Sequence, residues 1–215
     1  MTPASVVTAA RRKYNALTDT DFFTEVELYE YLYRAELDLA IFADTIRVTT
    51  NSTTTTGTSQ YTVPTSTYRI KRLTYDGAKL MPVDFRADDL LTGNDSDTEA
   101  VGTPQYYVYY GDKVELRPTP AAAGTLQWRV FKEPEIHTAS STFSTPTRYH
   151  MAFTDFILSE MHAKENNQKM AQHYKSLWDR QLAAARRTEK RLLRGDAFAA
   201  VIDEEVLNGT LLGPV

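Results

Sequence analysis

The chain has 215 residues, of which 42% are hydrophobic and 24% charged, and its formal net charge is −4. That length suits one large domain or two small ones with enough apolar material for a core, and the acidic balance disfavours nucleic-acid binding by bulk charge. There is no cysteine, which excludes disulfides and thiolate metal sites and suits assembly in the cytosol.

The first residues, MTPASVVTAARRKYNALTD, contain no apolar stretch of signal-peptide length, and runs such as LAIFA are too short to span a bilayer. A soluble protein with no membrane partner, not secreted by the usual route, is expected. Thr2 can cap a helix and Pro3 suits its first turn, so a short helix is predicted to about Leu17, broken by TDTDFF. Thr24 and Glu27 have the spacing of a capping box. Behind them Leu28, Leu32, Ala35, Leu39 and Phe42 recur at steps of four and three, which predicts one apolar helical stripe to about Asp44.

The pattern then changes. IRVTTNSTTTTGTSQYTVP reads as strand, turn, strand, and TYRIKRLTYDGAKLMPV as a second such pair around Asp76-Gly77. DFRADDLL predicts one or two helical turns and TGNDSDTEAVGTP a polar loop. GTPQYYVYYGDKVELRPTP predicts a Pro-framed hairpin, and GTLQWRVFKEP one more strand. Six or seven short strands between Ile46 and Phe131 suggest a small antiparallel sandwich or barrel.

After a linker, TASSTFSTPTRYH, Pro146 marks a helix start. The helix is predicted to about Lys164, with Phe153, Ile157 and Met161 on one face. Another follows from about Gln168 to Arg194, with Met170, Tyr174, Leu177 and Leu182 as its apolar face and Gly195 as its stop. The fold class is therefore α+β. N- and C-terminal helices (1–45 and 145–194) form a helical bundle, an antiparallel β-sandwich or barrel-like region (46–135) is inserted between them, and an extended C-terminal tail (195–215) ends the chain.

No residue pattern marks an enzyme, and no cofactor is expected. The four histidines, His137, His150, His162 and His173, form no metal-binding pair; His162 and Glu165 lie one turn apart, but a histidine near a helix end is the plainer reading. Asp88, Asp89, Asp95, Asp97 and Glu99 lack calcium-loop spacing and read as a solvated loop. Phosphate-loop and GxSxG motifs are absent. One charge run stands out: Arg186, Arg187, Lys190, Arg191 and Arg194, diluted only by Glu189. Residues 187, 190, 191 and 194 share a helix face that could meet phosphates or an acidic partner, or be a solvated helix end that suits the helix dipole. Tyr106, Tyr107, Tyr109 and Tyr110 alternate on one strand, so one pair can pack inward while the other faces out. Half-buried strand tyrosines and a subunit interface both account for them.

FFTEVELYEYLYRAELDLA, the β-rich middle with YRIKRLTYDGAKLMPVDF and GTPQYYVYYGDKVELRPTP, and STPTRYHMAFTDFILSEMHAKENNQKMAQHYKSLWDRQL together resemble the head-to-tail adaptor (connector, or head-completion) proteins of tailed phages, especially short-tailed ones. The resemblance spans most of the chain. It implies a non-enzymatic virion protein of the neck, assembled in the host cytoplasm as a homo-oligomeric, usually dodecameric, ring below the portal protein. It further implies that double-stranded genomic DNA passes through the channel without sequence-specific binding. Carried onto this chain, the portal-binding segment comprises Arg187, Lys190, Arg191, Arg194, Phe198, Val201, Ile202, Val206, Leu207, Leu211 and Leu212. The subunit contact, or the contact with the tail nozzle or tube protein, comprises Tyr106, Tyr107, Tyr109, Tyr110, Asp112 and Lys113. Another neck or tail component, of nozzle or tail-tube type, is the nearest alternative; a small metal-dependent binding module is the more distant one.

Overall fold

The structure is a computed structural model and describes residues 1–17, 21–84 and 100–194. The chain divides into two compact units, one built from Met1–Ile46 and the residues from Glu133 onward, the other from Arg47–Lys132.

The first unit is helical. Helix α1 (Pro3–Tyr14) opens on the predicted cap: Thr2 Oγ1 accepts from Ser5 N at 3.3 Å, and Ser5 Oγ accepts from Thr2 N at 3.0 Å. It stops before the expected Leu17 because Asn15 turns left-handed, with φ 63°. Helix α2 (Glu25–Ala43) starts where Thr24 Oγ1 accepts from Glu27 N. Leu28, Leu32, Ala35 and Leu39 are buried as the periodicity requires, but Phe42 is 44% exposed and Ala43 closes the stripe instead. A 3-10 turn (Thr147–Ala152) follows Pro146 and leads into α3 (Phe153–Lys164), whose Phe153, Ile157 and Met161 are fully buried. Asn166, at φ 59°, separates it from α4 (Gln168–Arg194).

The apolar face of α4 differs from the sequence expectation. Ala171, Trp178 and Ala185 are buried, with Tyr174 and Leu182 packed beside them, while Met170 and Leu177 lie at the half-buried margins. Trp178 decides the rotation: the Phe153 and Phe156 rings approach it at 6.0 and 5.6 Å. A stripe counted from Leu and Met gives too little weight to the two alanines that let α4 approach closely. The helices from the two ends of the chain bury these faces in one core, reaching from Val6 and Ala10 of α1 to Trp178 of α4.

Within this unit the segment before the 3-10 turn is held by a buried side chain. Glu36 of α2 has no solvent exposure. Its Oε1 accepts from Ser144 N at 2.9 Å and from Thr145 N and Thr145 Oγ1 at 2.8 Å each, while Oε2 lies 2.6 Å from His137 Nε2. His150 completes the cluster. Its Nε2 stands 2.9 Å from the Thr145 carbonyl, so that nitrogen carries the proton and donates. Phe143 packs on both imidazoles, with centroids at 5.1 and 4.0 Å.

Every described element of the second unit is a strand. Strands β1 (Arg47–Thr53), β2 (Gln60–Thr62), β3 (Thr67–Tyr75), β4 (Ala78–Lys79), β5 (Met81–Val83), β6 (Val101–Gly102), β7 (Tyr106–Tyr110), β8 (Lys113–Arg117), β9 (Thr119–Pro120) and β10 (Thr125–Lys132) form three sheets. Two have four strands, in the orders β1-β10-β3-β4 and β2-β8-β7-β5, and β6 pairs with β9. Leu73, Leu126 and Trp128 of the first sheet share one core with Tyr107, Val114 and Leu116 of the second, so the expected inserted β region is present but its sheets are not closed into a barrel. The pairing is also not wholly antiparallel, since β5–β7 and β6–β9 are parallel. The Thr-rich stretch is strand, turn, strand as read, but its two strands do not pair with each other: β1 pairs with β10 while β2 pairs with β8. Trp128 explains the first choice: it sits opposite Thr50, and its Nε1 donates to Ser52 Oγ at 2.8 Å. The Asp76-Gly77 turn does form, both residues having positive φ, and joins β3 to β4. The helical turns expected in DFRADDLL and most of the polar loop after it lie outside the described residues.

Replacing Glu36 by alanine would leave three donors and His137 facing an apolar gap. The Glu36→Ala variant should lose about 3 kcal/mol and melt roughly 6–12 °C lower, with Glu36→Gln milder because it keeps an acceptor. Wild-type-like thermal unfolding of both would contradict the assignment. Burial holds the pKa of His150, and that of His162 between Tyr14 and Tyr174, below the usual 6.5. Both therefore bind protons more readily unfolded than folded, and stability should fall as pH drops through 6.5. The melting temperature measured from pH 7.5 to 5.5 should decrease, and a His150→Asn, His162→Asn double variant should flatten that decline.

Candidate functional site

Three surfaces present exposed aromatic, apolar or charged side chains at the margins of the two cores. The first is the C-terminal end of α4. Arg187, Lys190 and Arg191 are exposed there, and Arg194 is the last residue of the helix. Arg186 is also exposed and lies over the Phe42 ring at 4.5 Å. Glu189, which the sequence reading treated as diluting this charge, is 1% exposed. Its Oε1 accepts from Tyr149 OH at 2.7 Å and pairs with Arg148. Turning the one acid of the run inward leaves the outer side of the helix end cationic. Its place could have been read from spacing, since 178, 182, 185 and 189 continue one helical stripe. Phe198, Val201, Ile202, Val206, Leu207, Leu211 and Leu212 lie outside the described residues.

The second surface is the tip of the β7–β8 hairpin. Strict alternation of the tyrosines, expected from the strand period, is not what separates them. Tyr106 is half-buried, Tyr107 and Val108 are buried, and Tyr109 and Tyr110 are 53% and 62% exposed. Burial falls along the strand. β5 covers it only from Tyr106 to Val108, whereas Tyr109 and Tyr110 are opposed by Val114 and Lys113 of the hairpin itself. The last two tyrosines thus extend past β5, with exposed Asp112 and Lys113 at the turn. Val63, Ser66, Tyr109 and Asp112 line a shallow hollow of about 420 Å³ beside them.

The third surface was not foreseen from the sequence. On the helical unit, Val26, Tyr29, Tyr33 and Ile136 line an apolar groove of about 630 Å³. Val26 is 80% and Ile136 76% exposed, so the groove is open to solvent. Glu25, Glu30 and Arg34 lie along its edge, Arg34 being paired with Glu30. The sequence offered one sign of it: Val26, Tyr29 and Tyr33 form a second apolar row on α2, off the main stripe.

None of the three is built like a catalytic centre. Among the described residues no group of three His, Cys, Asp or Glu side chains could hold a metal ion. His162 is stacked on Tyr174 at 5.5 Å with the rings 7° from parallel. The acidic positions Asp88, Asp89, Asp95, Asp97 and Glu99 lie outside the described residues. Among the described residues no helix is long and apolar enough to cross a membrane.

No curated protein matches the chain. The family model for the SU10 adaptor protein matches residues 1–199, which takes in every described residue of both units, including the whole of α4. Matched over that length, the chain belongs to the SU10 adaptor protein family, a family of phage head-to-tail adaptors.

Proposed function

We propose that this protein forms a closed ring below the portal of a short-tailed phage, joining the portal to the tail and leaving a channel for the genome. The observation that carries the reading is the adaptor-family match over residues 1–199. That match makes the protein a structural component of the virion neck. The portal, ring and channel are the further step in this reading.

The portal contact is assigned to the cationic end of α4 and to the segment that follows it. Arg187, Lys190, Arg191 and Arg194 would meet acidic portal side chains, and Phe198, Val201, Ile202, Val206, Leu207, Leu211 and Leu212 would supply apolar anchors. This use of the cations is preferred over a grip on DNA, because contacts to many phosphates would retain the genome strongly and oppose its passage. The net charge of −4 is consistent with a channel protein that does not hold its cargo. The tail contact is assigned to the hairpin tip. Tyr109 and Tyr110 offer rigid aromatic area with a polar end, a composition enriched at protein interfaces.

Native mass measurement of the purified chain, alone and with portal, should give a closed oligomer in at least one of the two conditions. A chain that remains monomeric in both contradicts the ring. Deleting residues 196–215 should leave circular dichroism and melting temperature unchanged while abolishing capture by portal; normal capture would remove the portal assignment. Tyr109→Ala with Tyr110→Ala should keep portal capture and stability but lose tail attachment. An intact tail contact in that variant would mean the hairpin faces some other neighbour.

A further inference from the structure

The apolar groove on α2 is open, and the same helical unit carries a projection that fits it. Phe42, at the opposite end of α2, is 44% exposed, and its ring is covered on one side by the Arg186 guanidinium. An aromatic ring and an arginine presented together are the residue types that most often anchor protein interfaces. The groove has the complementary character. Its walls are Val26, Tyr29, Tyr33 and Ile136, and its edge carries Glu25, whose charge no described ion pair offsets, besides the paired Glu30. Glu135, next to Ile136 in the chain, is exposed as well.

Position on the helix decides how the two surfaces can be used. Val26 and Phe42 stand sixteen positions apart on α2. At 3.6 residues per turn that places them about 24 Å apart along the axis and about 160° apart around it. The groove and the projection therefore face nearly opposite ways from opposite ends of one helix. Two surfaces so placed cannot both be satisfied in a two-fold dimer that buries one patch against itself. They suit a head-to-tail contact in which each copy gives its projection to one neighbour and its groove to the other, the arrangement that closes into rings.

We infer that the occupant of the groove is a second copy of this chain: Phe42 of one protomer seats between Val26, Tyr33 and Ile136 of the next, and Arg186 faces that protomer's Glu25. The inference rests on the ring reading and names the contact that would build it. It leaves Arg187, Lys190 and Arg191 for the portal and the hairpin tip for the tail.

The absence of native cysteine makes disulfide trapping clean. Ile136→Cys places a thiol at the lip of the groove, and Ile41→Cys places one beside Phe42; both positions are exposed, so the fold should tolerate them. The two variants, mixed and assembled with portal when portal is needed, should give a mixed disulfide dimer on oxidation. A chain carrying both substitutions should give a ladder of covalent oligomers. Glu25→Lys and Arg186→Glu should each weaken self-association roughly tenfold, and the two together should restore it. Oligomers that form normally but give no mixed disulfide and ignore both charge reversals would overturn this contact while leaving the ring intact. Protection of the Ile136→Cys thiol from a maleimide by portal alone, without assembly, would overturn it in favour of the portal as occupant. A wild-type chain that stays monomeric alone and with portal would overturn the contact together with the ring.

Discussion

A carboxylate with no access to water must find its hydrogen bonds inside the protein, and Glu36 finds them more than a hundred residues along the chain. Its partners are Ser144, Thr145 and His137, in the segment that returns from the β unit. An unpaired carboxylate in that position would cost several kcal/mol, so α2 cannot pack in this orientation unless the returning segment lies across it. The same contact sets the start of the 3-10 turn and thereby the direction of α3. His150 and Phe143 close over it and keep water out. The shared apolar core already joins the two halves of the helical unit, and this link adds a polar tie between parts that the chain separates by the whole of Arg47–Lys132.

Burial of polar groups shapes the outer surface too. Glu189 is drawn inward by Tyr149 and Arg148, and its removal from the surface is what makes the end of α4 uniformly cationic on its outer side. A count of charges along the helix sees four or five cations and one acid. The folded protein presents the cations and hides the acid. The hairpin follows a similar logic by a different cause. The tyrosines of β7 are chemically alike, but only the first part of the strand is flanked by β5, so the neighbour strand's length, not the side-chain period, divides buried from exposed.

The helical unit and the inserted β unit each carry exposed aromatic and charged side chains. The cationic helix end and the projection share Arg186, whereas the groove and the hairpin tip are built from other residues. Each combines an apolar or aromatic element with charge at its border, a pattern that lets contacts be both adhesive and oriented. Nothing in this division asks for a catalytic group, in keeping with a family of structural proteins.

Local chemistry by itself determined much of this protein. Thr2, Pro3 and Thr24 start helices wherever they are read, because capping satisfies backbone donors within a few residues. The period of Leu28, Leu32, Ala35 and Leu39 makes one helix face apolar, Asp76-Gly77 makes one tight turn, and the order of helix, strand and helix together with the quoted motifs was enough to suggest the family. What only the tertiary structure decided depends on groups distant in sequence. Threonine-rich β1 and β2 follow one another in the chain around a turn, yet they join different sheets, β1 being held by Trp128 on β10 through Ser52. The face of α4 is set by Trp178 meeting Phe153 and Phe156, and the partner of Glu36 by a segment that follows the β unit in the sequence. Phe42 belongs to the apolar stripe by periodicity and lies outside it in the folded unit, because the helix ends at Asp44 and Arg186 from another helix covers the ring instead. Periodicity reports which face of an element can be buried; which partner buries it is fixed by packing between elements that the sequence keeps apart.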